Sequence, residues 1–273
     1  MTDSLDRRLR ELHLPTMLAQ AQAVAIEAER SAWSLTRYLY TLAASELEER
    51  RQRRIQRCRK ESGLPSSKTL TTLQVAPLPT PVRRQLPPLW DGQFVEQAQN
   101  VLAFGLPGRG KTHWLCAVGH ALVERGYRVL FTPAYQLVQR LLAAKQALRL
   151  EQELHKLDGF AAIILDDMGY LQQSRAEMEV LFTFLAERYE RKSVLISSNL
   201  VFSQWDRIFQ DPMTTAAAID RLVHHAIILE LTGSSFRTEQ AKGRQHPATL
   251  TDSDPSMASD TPSNHRAPET VTC

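Results

Sequence analysis

The stretch Gly105-Leu106-Pro107-Gly108-Arg109-Gly110-Lys111-Thr112 fits G-x-x-x-x-G-K-[ST]. That pattern carries meaning only between a strand and a helix. Upstream, Asn100–Phe104 is a short, continuously apolar run that reads as a strand. Downstream, Leu115, Val118, Gly119 and Leu122 recur at helical spacing over Thr112–Arg125. Both flanks satisfy the test, so a chance glycine-rich turn is set aside. Glycines let several backbone N–H groups turn inward as an anion nest, and the helix N-terminus adds its unpaired donors and positive dipole end. Gly105, Leu106, Pro107, Gly108, Arg109 and Gly110 are expected to cradle phosphates. Lys111 is expected to reach the β- and γ-phosphates, and Thr112 to offer its hydroxyl to Mg²⁺. A nucleoside triphosphate such as ATP is implied; the chemistry that follows is left open.

Working outward, further apolar runs at 128–131, 161–165, 193–197 and 226–231 alternate with helical stretches near 111–125, 135–157, 175–191 and 215–225. Strands spaced by helices imply βαβ units, and unbroken apolar runs imply strands buried on both faces. The expected fold is α/β: a doubly wound, parallel, five-stranded sheet over residues 97–244, preceded by a small all-α region. The third core run enters Asp166-Asp167, where a carboxylate at a strand end beside the phosphate loop can meet a metal. Asp166 is assigned to Mg²⁺, and Asp167 to orienting or deprotonating the attacking water. Asn199, after the strand 193–197, could position that water or sense the γ-phosphate. Arg221 and Arg237 are candidates to stabilise charge developing during phosphoryl transfer.

Residues 1–64 read as helices. Pro15 breaks the first stretch, Ser34 caps a second, and Leu35, Tyr38, Leu39, Leu42, Ala43 and Leu47 form an apolar stripe. The stripe gives way to seven cations within residues 50–60: Arg50, Arg51, Arg53, Arg54, Arg57, Arg59 and Lys60. Gly63 and Pro65 end that helix, and six prolines over 65–90 imply an extended connection (65–96) with room for a short helix. Residues 1–90 hold 15 Lys and Arg against 9 Asp and Glu, while the remainder holds 18 against 21, although the net charge is only +3. A basic front end on a mildly acidic body implies an anionic partner, nucleic acid foremost. Residues 245–273 are Pro-, Ser- and Thr-rich without periodicity and read as a disordered tail. No 18-residue apolar run occurs, which excludes a transmembrane helix, and the charged N-terminus has no h-region, so neither a secretory signal nor a membrane partner is expected. Three scattered cysteines exclude a disulfide scaffold and suit the cytoplasm. The neighbours His224-His225 are expected to diverge rather than share a metal. Glu177, Glu179, Glu187, Arg188, Glu190 and Arg191 read as the wet face of a helix.

Taken together, GLPGRGKTH (105–113), AAIILDDMGYL (161–171), RYERKSVLISSNL (188–200), AAIDRLVHHAIILEL (217–231) and SSFR (234–237) resemble IstB-like proteins. These are ATP-binding helpers of insertion-sequence transposases, related to the DnaC helicase loader within the AAA+ superfamily of P-loop NTPases. The front-end segments LRELHLPTMLAQA (9–21), SLTRYLYTLAASELEERRQRR (34–54) and LPPLWDGQF (86–94) resemble the same family, so the likeness covers about residues 5–240. The resemblance implies an ATPase that assembles as a homo-oligomer on double-stranded DNA when ATP is bound, serving a cognate transposase and its choice of target. By that resemblance Lys111 and Thr112 are the Walker A residues, Asp166 and Asp167 the Walker B pair, and Asn199 the sensor-1 residue. Arg221 resembles an arginine finger acting on a neighbour's ATP, and Arg237 a sensor-2-type residue. The family often has Thr-Ser-Asn where this chain has Ser197-Ser198-Asn199. The stretch after Leu231 leaves little room for a C-terminal helical lid. A replicative helicase loader, a non-hydrolysing DNA-binding scaffold and a small-molecule kinase are the competing readings of the same residues.

Overall fold

A computed structural model describes residues 2–73, 80–168, 174–205 and 212–231. Arg237, Gly169 and the tail over 245–273 lie outside the described residues. Five parallel strands, β1 (Asn100–Phe104), β2 (Val129–Pro133), β3 (Ala162–Asp166), β4 (Ser193–Ser198) and β5 (Ala226–Glu230), form one sheet in the order β2-β3-β4-β1-β5. The strands fall where the apolar runs place them. β1, β3 and β4 are fully buried along their length, as parallel strands with helices on both faces must be.

Alternation along the strands divides the core into two layers. Leu102, Phe104, Ile163, Leu165, Val194 and Ile196 meet α7 (Ala134–Gln146), α8 (Leu150–Asp158), α9 (Arg175–Arg188) and α10 (Pro212–Val223). The sequence reading took 135–157 as one helix. It is two, because Leu148 takes a left-handed φ of 56° between α7 and α8. Val101, Ala103, Ala162, Ile164 and Leu195 face the opposite layer, built on α6 (Lys111–Glu124). One helix does not cover five strands. The rest of that layer comes from the front end: Ile55 and Cys58 of α3 (Leu35–Glu61), and Val82, Leu86 and Leu89 of α4 (Thr80–Asp91).

α4 is a helix within the connection over 65–96, where the sequence left room for a short one. It carries Pro87 and Pro88 inside the helix, a position that costs about 3 kcal/mol per proline in isolation. Val82, Leu86 and Leu89, at helical spacing, are each at least 95% buried against the α6 layer, and Trp90 stacks on Trp114 with ring centroids 5.3 Å apart. Tertiary burial supplies what local propensity withholds. A one-turn helix, α5 (Gln93–Glu96), then leads into β1.

α1 (Thr2–Glu11), α2 (Pro15–Arg30) and the first half of α3 pack together ahead of the sheet. Ser34 caps α3 as its sequence implies, accepting the Arg37 N–H at 3.2 Å, and Gly63 follows the helix with φ 65°. The N-terminus of α2 lacks a cap of its own, and Glu46 of α3 supplies one by accepting the N–H groups of Thr16 and Met17 at 2.8 and 3.0 Å. The apolar stripe of α3 is only partly used: Leu42 is buried, whereas Leu35, Leu39 and Leu47 stay exposed. Among the described residues no helix is long and apolar enough to cross a membrane.

Candidate functional site

The phosphate-loop segment follows β1 and opens α6, as its spacing requires. Gly110 is the residue before α6 and has φ 80°, a left-handed value that favours glycine. Gly105 has φ 151°, and a Cβ there would stand 2.5 Å from the Leu231 carbonyl oxygen, so the last strand passes too close for any side chain. Lys111 is buried in the first turn of α6, and its Nζ donates to the carbonyls of Gly105 and Leu106 at 2.6 and 3.0 Å. The loop is thereby folded around the lysine.

β3 brings Asp166 beside this helix start. Thr112 Oγ1 donates to Asp166 Oδ1 at 2.8 Å, joining residues 54 positions apart in sequence. Ser197 Oγ, from β4, donates to the same oxygen at 2.5 Å. Asp166 is buried, whereas Asp167 is exposed and turns out of the strand with φ 57°. Aspartate tolerates that region better than most residues. Asn199 lies one residue beyond Ser198, which pairs in register with Phe104 at the base of the phosphate loop. Lys111, Thr112, Asp166, Asp167 and Asn199 therefore converge on the C-terminal edge of the three central strands, where ligands of open α/β sheets bind. Ser197 was passed over in the sequence; the serine run at a strand end was its only signal.

Among the described residues, Arg109 Nε and Nη1 and Asn199 Oδ1 are buried without a hydrogen-bond partner at this edge. Buried polar groups are normally satisfied, so orphaned cationic donors within a glycine-rich loop fit a polyanion. The buried Asp166 carboxylate and the Thr112 hydroxyl are oxygen donors of the kind Mg²⁺ takes.

Arg221 is not brought to this edge. It lies near the C-terminus of α10, where Asn100 Nδ2 donates to the neighbouring Leu222 carbonyl at 3.1 Å, so this end of α10 sits at the start of β1. β1 separates that edge from the phosphate loop by about 16 Å at the usual strand rise. Arg221 Nη1 donates to the Ala217 carbonyl at 3.2 Å, and its guanidinium stands 4.7 Å from the Phe182 ring centroid.

Two expectations are corrected. Arg188 does not belong to the wet face of α9. It is 3% exposed and donates to the carbonyls of Leu157, Phe160, Ala161 and Ser193 at 3.0–3.4 Å. Burial lowers its pKa to about 10, so it stays charged at neutral pH. His224 and His225 do not diverge. The turn before β5 brings their ring centroids to 4.1 Å, with Glu190 Oε1 3.6 Å from His224 Nδ1 at the surface. Within the basic stretch 50–60, Arg54 Nε donates to the Gly126 carbonyl at 3.1 Å, and Arg50 Nε pairs with Glu46 at 3.0 Å. Arg57 and Lys60 are exposed, as are Arg83 and Arg84.

The profile of the family described as "IstB-like ATP binding protein" matches residues 7–244. An insertion-sequence ATP-binding protein of Sinorhizobium fredii is 42% identical over 234 residues, spanning 85% of this chain and 78% of its own length. The corresponding protein of IS5376 from Geobacillus stearothermophilus is 34% identical, spanning 89% and 96%, and that of IS21 from Pseudomonas aeruginosa is 33% identical, spanning 87% and 90%. Among solved structures, the replication initiator DnaA bound to AMPPCP and single-stranded DNA superposes with a TM-score of 0.52 at 18% identity, covering 69% of this chain and 59% of that one. DnaI superposes with a TM-score of 0.50 at 20% identity, covering 64% and 94%. These likenesses establish the P-loop AAA+ fold, and with the match over residues 7–244 the chain belongs to the IstB-like ATP-binding protein family.

Proposed function

We propose that this protein is the ATP-hydrolysing helper of an insertion-sequence transposase, assembling on double-stranded DNA and regulating where and when the transposase acts. The observation that carries the reading is the convergence of Lys111, Thr112, Asp166 and Asn199 on one sheet edge beside the orphaned Arg109 donors. The names of the relatives, ATP-binding proteins of insertion sequences, supply the biological setting.

In this reading Lys111 exchanges its loop carbonyls for the β- and γ-phosphates, and Arg109 gains the acceptors its buried nitrogens lack. Thr112 and Asp166 hold Mg²⁺, which when bound neutralises charge on the triphosphate. Asp167, turned out of the strand, orients the attacking water and takes up its proton, while Asn199 holds that water from the adjacent strand. Arg221 sits too far from its own phosphate loop to touch the same nucleotide. It is assigned to a neighbouring protomer's ATP, which couples nucleotide binding to assembly. Arg237 is assigned to the γ-phosphate by family likeness alone.

Residues 1–64 are assigned to partner and DNA binding. The exposed ion pairs of Arg51, Arg53 and Arg59 are worth little individually, so these side chains remain available to phosphates together with Arg57, Lys60, Arg83 and Arg84. DNA affinity is then expected to fall steeply with salt.

The test is Mg·ATP turnover in the presence of duplex DNA. Lys111→Ala and Arg221→Ala should each lose activity, and mixing the two variants should restore part of it. Each then contributes the intact element the other lacks. Wild-type protein without turnover, or an unaltered Lys111→Ala, refutes hydrolysis at this site. Loss in Arg221→Ala with no recovery on mixing refutes its action across protomers.

A further inference from the structure

We infer that Ser197 is a positioning residue for hydrolysis, its single hydroxyl setting both Asp166 and Asp167 from the neighbouring strand. The inference rests on the proposed ATPase reading and deepens it. Ser197 is fully buried near the end of β4. The backbone ladder between β3 and β4 runs to the Leu165–Ile196 pair. Beyond that pair the Ser197 side chain takes over. Its Oγ donates to Asp166 Oδ1 at 2.5 Å and accepts the Asp167 backbone N–H at 2.8 Å.

The two bonds do different things. Donation to Oδ1 acts with the Thr112 hydroxyl, 2.8 Å from the same oxygen, so two donors from different elements fix the rotation of the Asp166 carboxylate. Acceptance from the Asp167 N–H pins the peptide at which the chain leaves the strand. Asp167 there has φ 57°, a left-handed conformation that aspartate tolerates and that this bond helps to hold. Asp166 is thereby kept buried, and Asp167 is presented at the surface of the site. Neither backbone pairing nor strand packing can supply both bonds, because both need a hydroxyl that donates and accepts at once. Ser197 also lies two residues before Asn199, which follows directly on the end of the same strand. One side chain thus ties the acidic pair to the strand that leads to the third polar group of the site.

This role makes threonine the conservative replacement and alanine the disruptive one. Cysteine fills the space with a poor donor. The experiment measures steady-state kcat and KM for Mg·ATP, with nucleotide Kd by calorimetry and Tm by thermal melting, for the wild type and for Ser197→Ala, Ser197→Cys and Ser197→Thr. A displaced reacting group costs up to about 100-fold in rate, so Ser197→Ala and Ser197→Cys should lose roughly 10- to 100-fold in kcat. Their Kd for ATP without Mg²⁺ should stay close to that of the wild type, because the phosphate loop is untouched, and Ser197→Thr should recover kcat. Wild-type kcat in the alanine and cysteine variants overturns the inference while leaving the ATPase reading intact. So does a threonine variant as slow as alanine, or a parallel loss of kcat, Kd and Tm. A wild-type protein that binds Mg·ATP but never turns it over overturns both.

Discussion

Replacing Arg188 with methionine removes a guanidinium that holds four backbone carbonyls at the edge of the sheet opposite the phosphate loop. Leu157 belongs to α8, Phe160 and Ala161 form the entry to β3, and Ser193 begins β4. Hydrogen bonds to charged groups contribute about 1.5–3 kcal/mol each, and burying the cation costs several kcal/mol in return. Methionine fills part of the volume but removes the charged donor; of the four carbonyls, that of Leu157 keeps the Phe160 N–H at 3.1 Å. The expected net loss is about 3–5 kcal/mol, the range for breaking a buried charged network from one side. In a domain of this size that is a fall of roughly 6–20 °C in Tm. Urea and thermal denaturation of Arg188→Met measure it directly. Arg188→Lys keeps the charge, but Nη2 meets the Phe160, Ala161 and Ser193 carbonyls while Nη1 meets that of Leu157, so a single ammonium should recover only part of the loss. Arg191→Met is the control. Arg191 lies three residues on and pairs with Asp158 and Glu187 at the surface, so its loss should cost less than about 1 kcal/mol. If Arg188→Met stays within about 1 kcal/mol of the wild type, or matches Arg191→Met, the staple does not hold the edge together.

Two further outcomes follow from buried groups elsewhere. Burial alone would raise the Glu46 pKa, but the Met17 and Thr16 N–H groups and the Arg50 guanidinium outweigh it and hold the carboxyl below its ordinary value. A carboxylate lowered in the folded state stabilises the fold above its unfolded pKa and loses that contribution as pH falls through the folded one. Glu46→Gln should therefore lower stability by about 1–2 kcal/mol at neutral pH and flatten the acid side of the Tm-against-pH curve; an unchanged curve counts against the cap. Burial, with a smaller push from Asp166 and an opposing pull from Lys68, raises the Cys116 thiol to about 12. Cys116 should resist thiol reagents at pH 8 in native protein and react only on denaturation, and rapid native-state labelling followed by peptide mapping would contradict its burial.

Most of the candidate site could be read from one dimension. A phosphate loop is contiguous, and its glycines, lysine and threonine are required by local backbone geometry and by a helix N-terminus that begins at once. Asp166 was placed because a strand and its first polar residue are also contiguous. The five apolar runs determined the strands because burial on both faces leaves no room for polar alternation.

The tertiary structure alone decided which side chains complete the layers and the pairings. Ile55 and Cys58 cover the sheet from within a run of seven cations, which masks the apolar signal along the chain. Pro87 and Pro88 sit in a helix because Val82, Leu86 and Leu89 find a surface to bury against, which no local propensity records. Arg188 turns inward because four carbonyls from three separate segments converge beneath it. Ser197 reaches both aspartates because β4 lies beside β3. Periodicity and motif report what neighbouring residues do together. Partnerships across 30 or more positions, such as Ser197 with Asp166 and Glu46 with Thr16, exist only once the strands and helices have been set side by side.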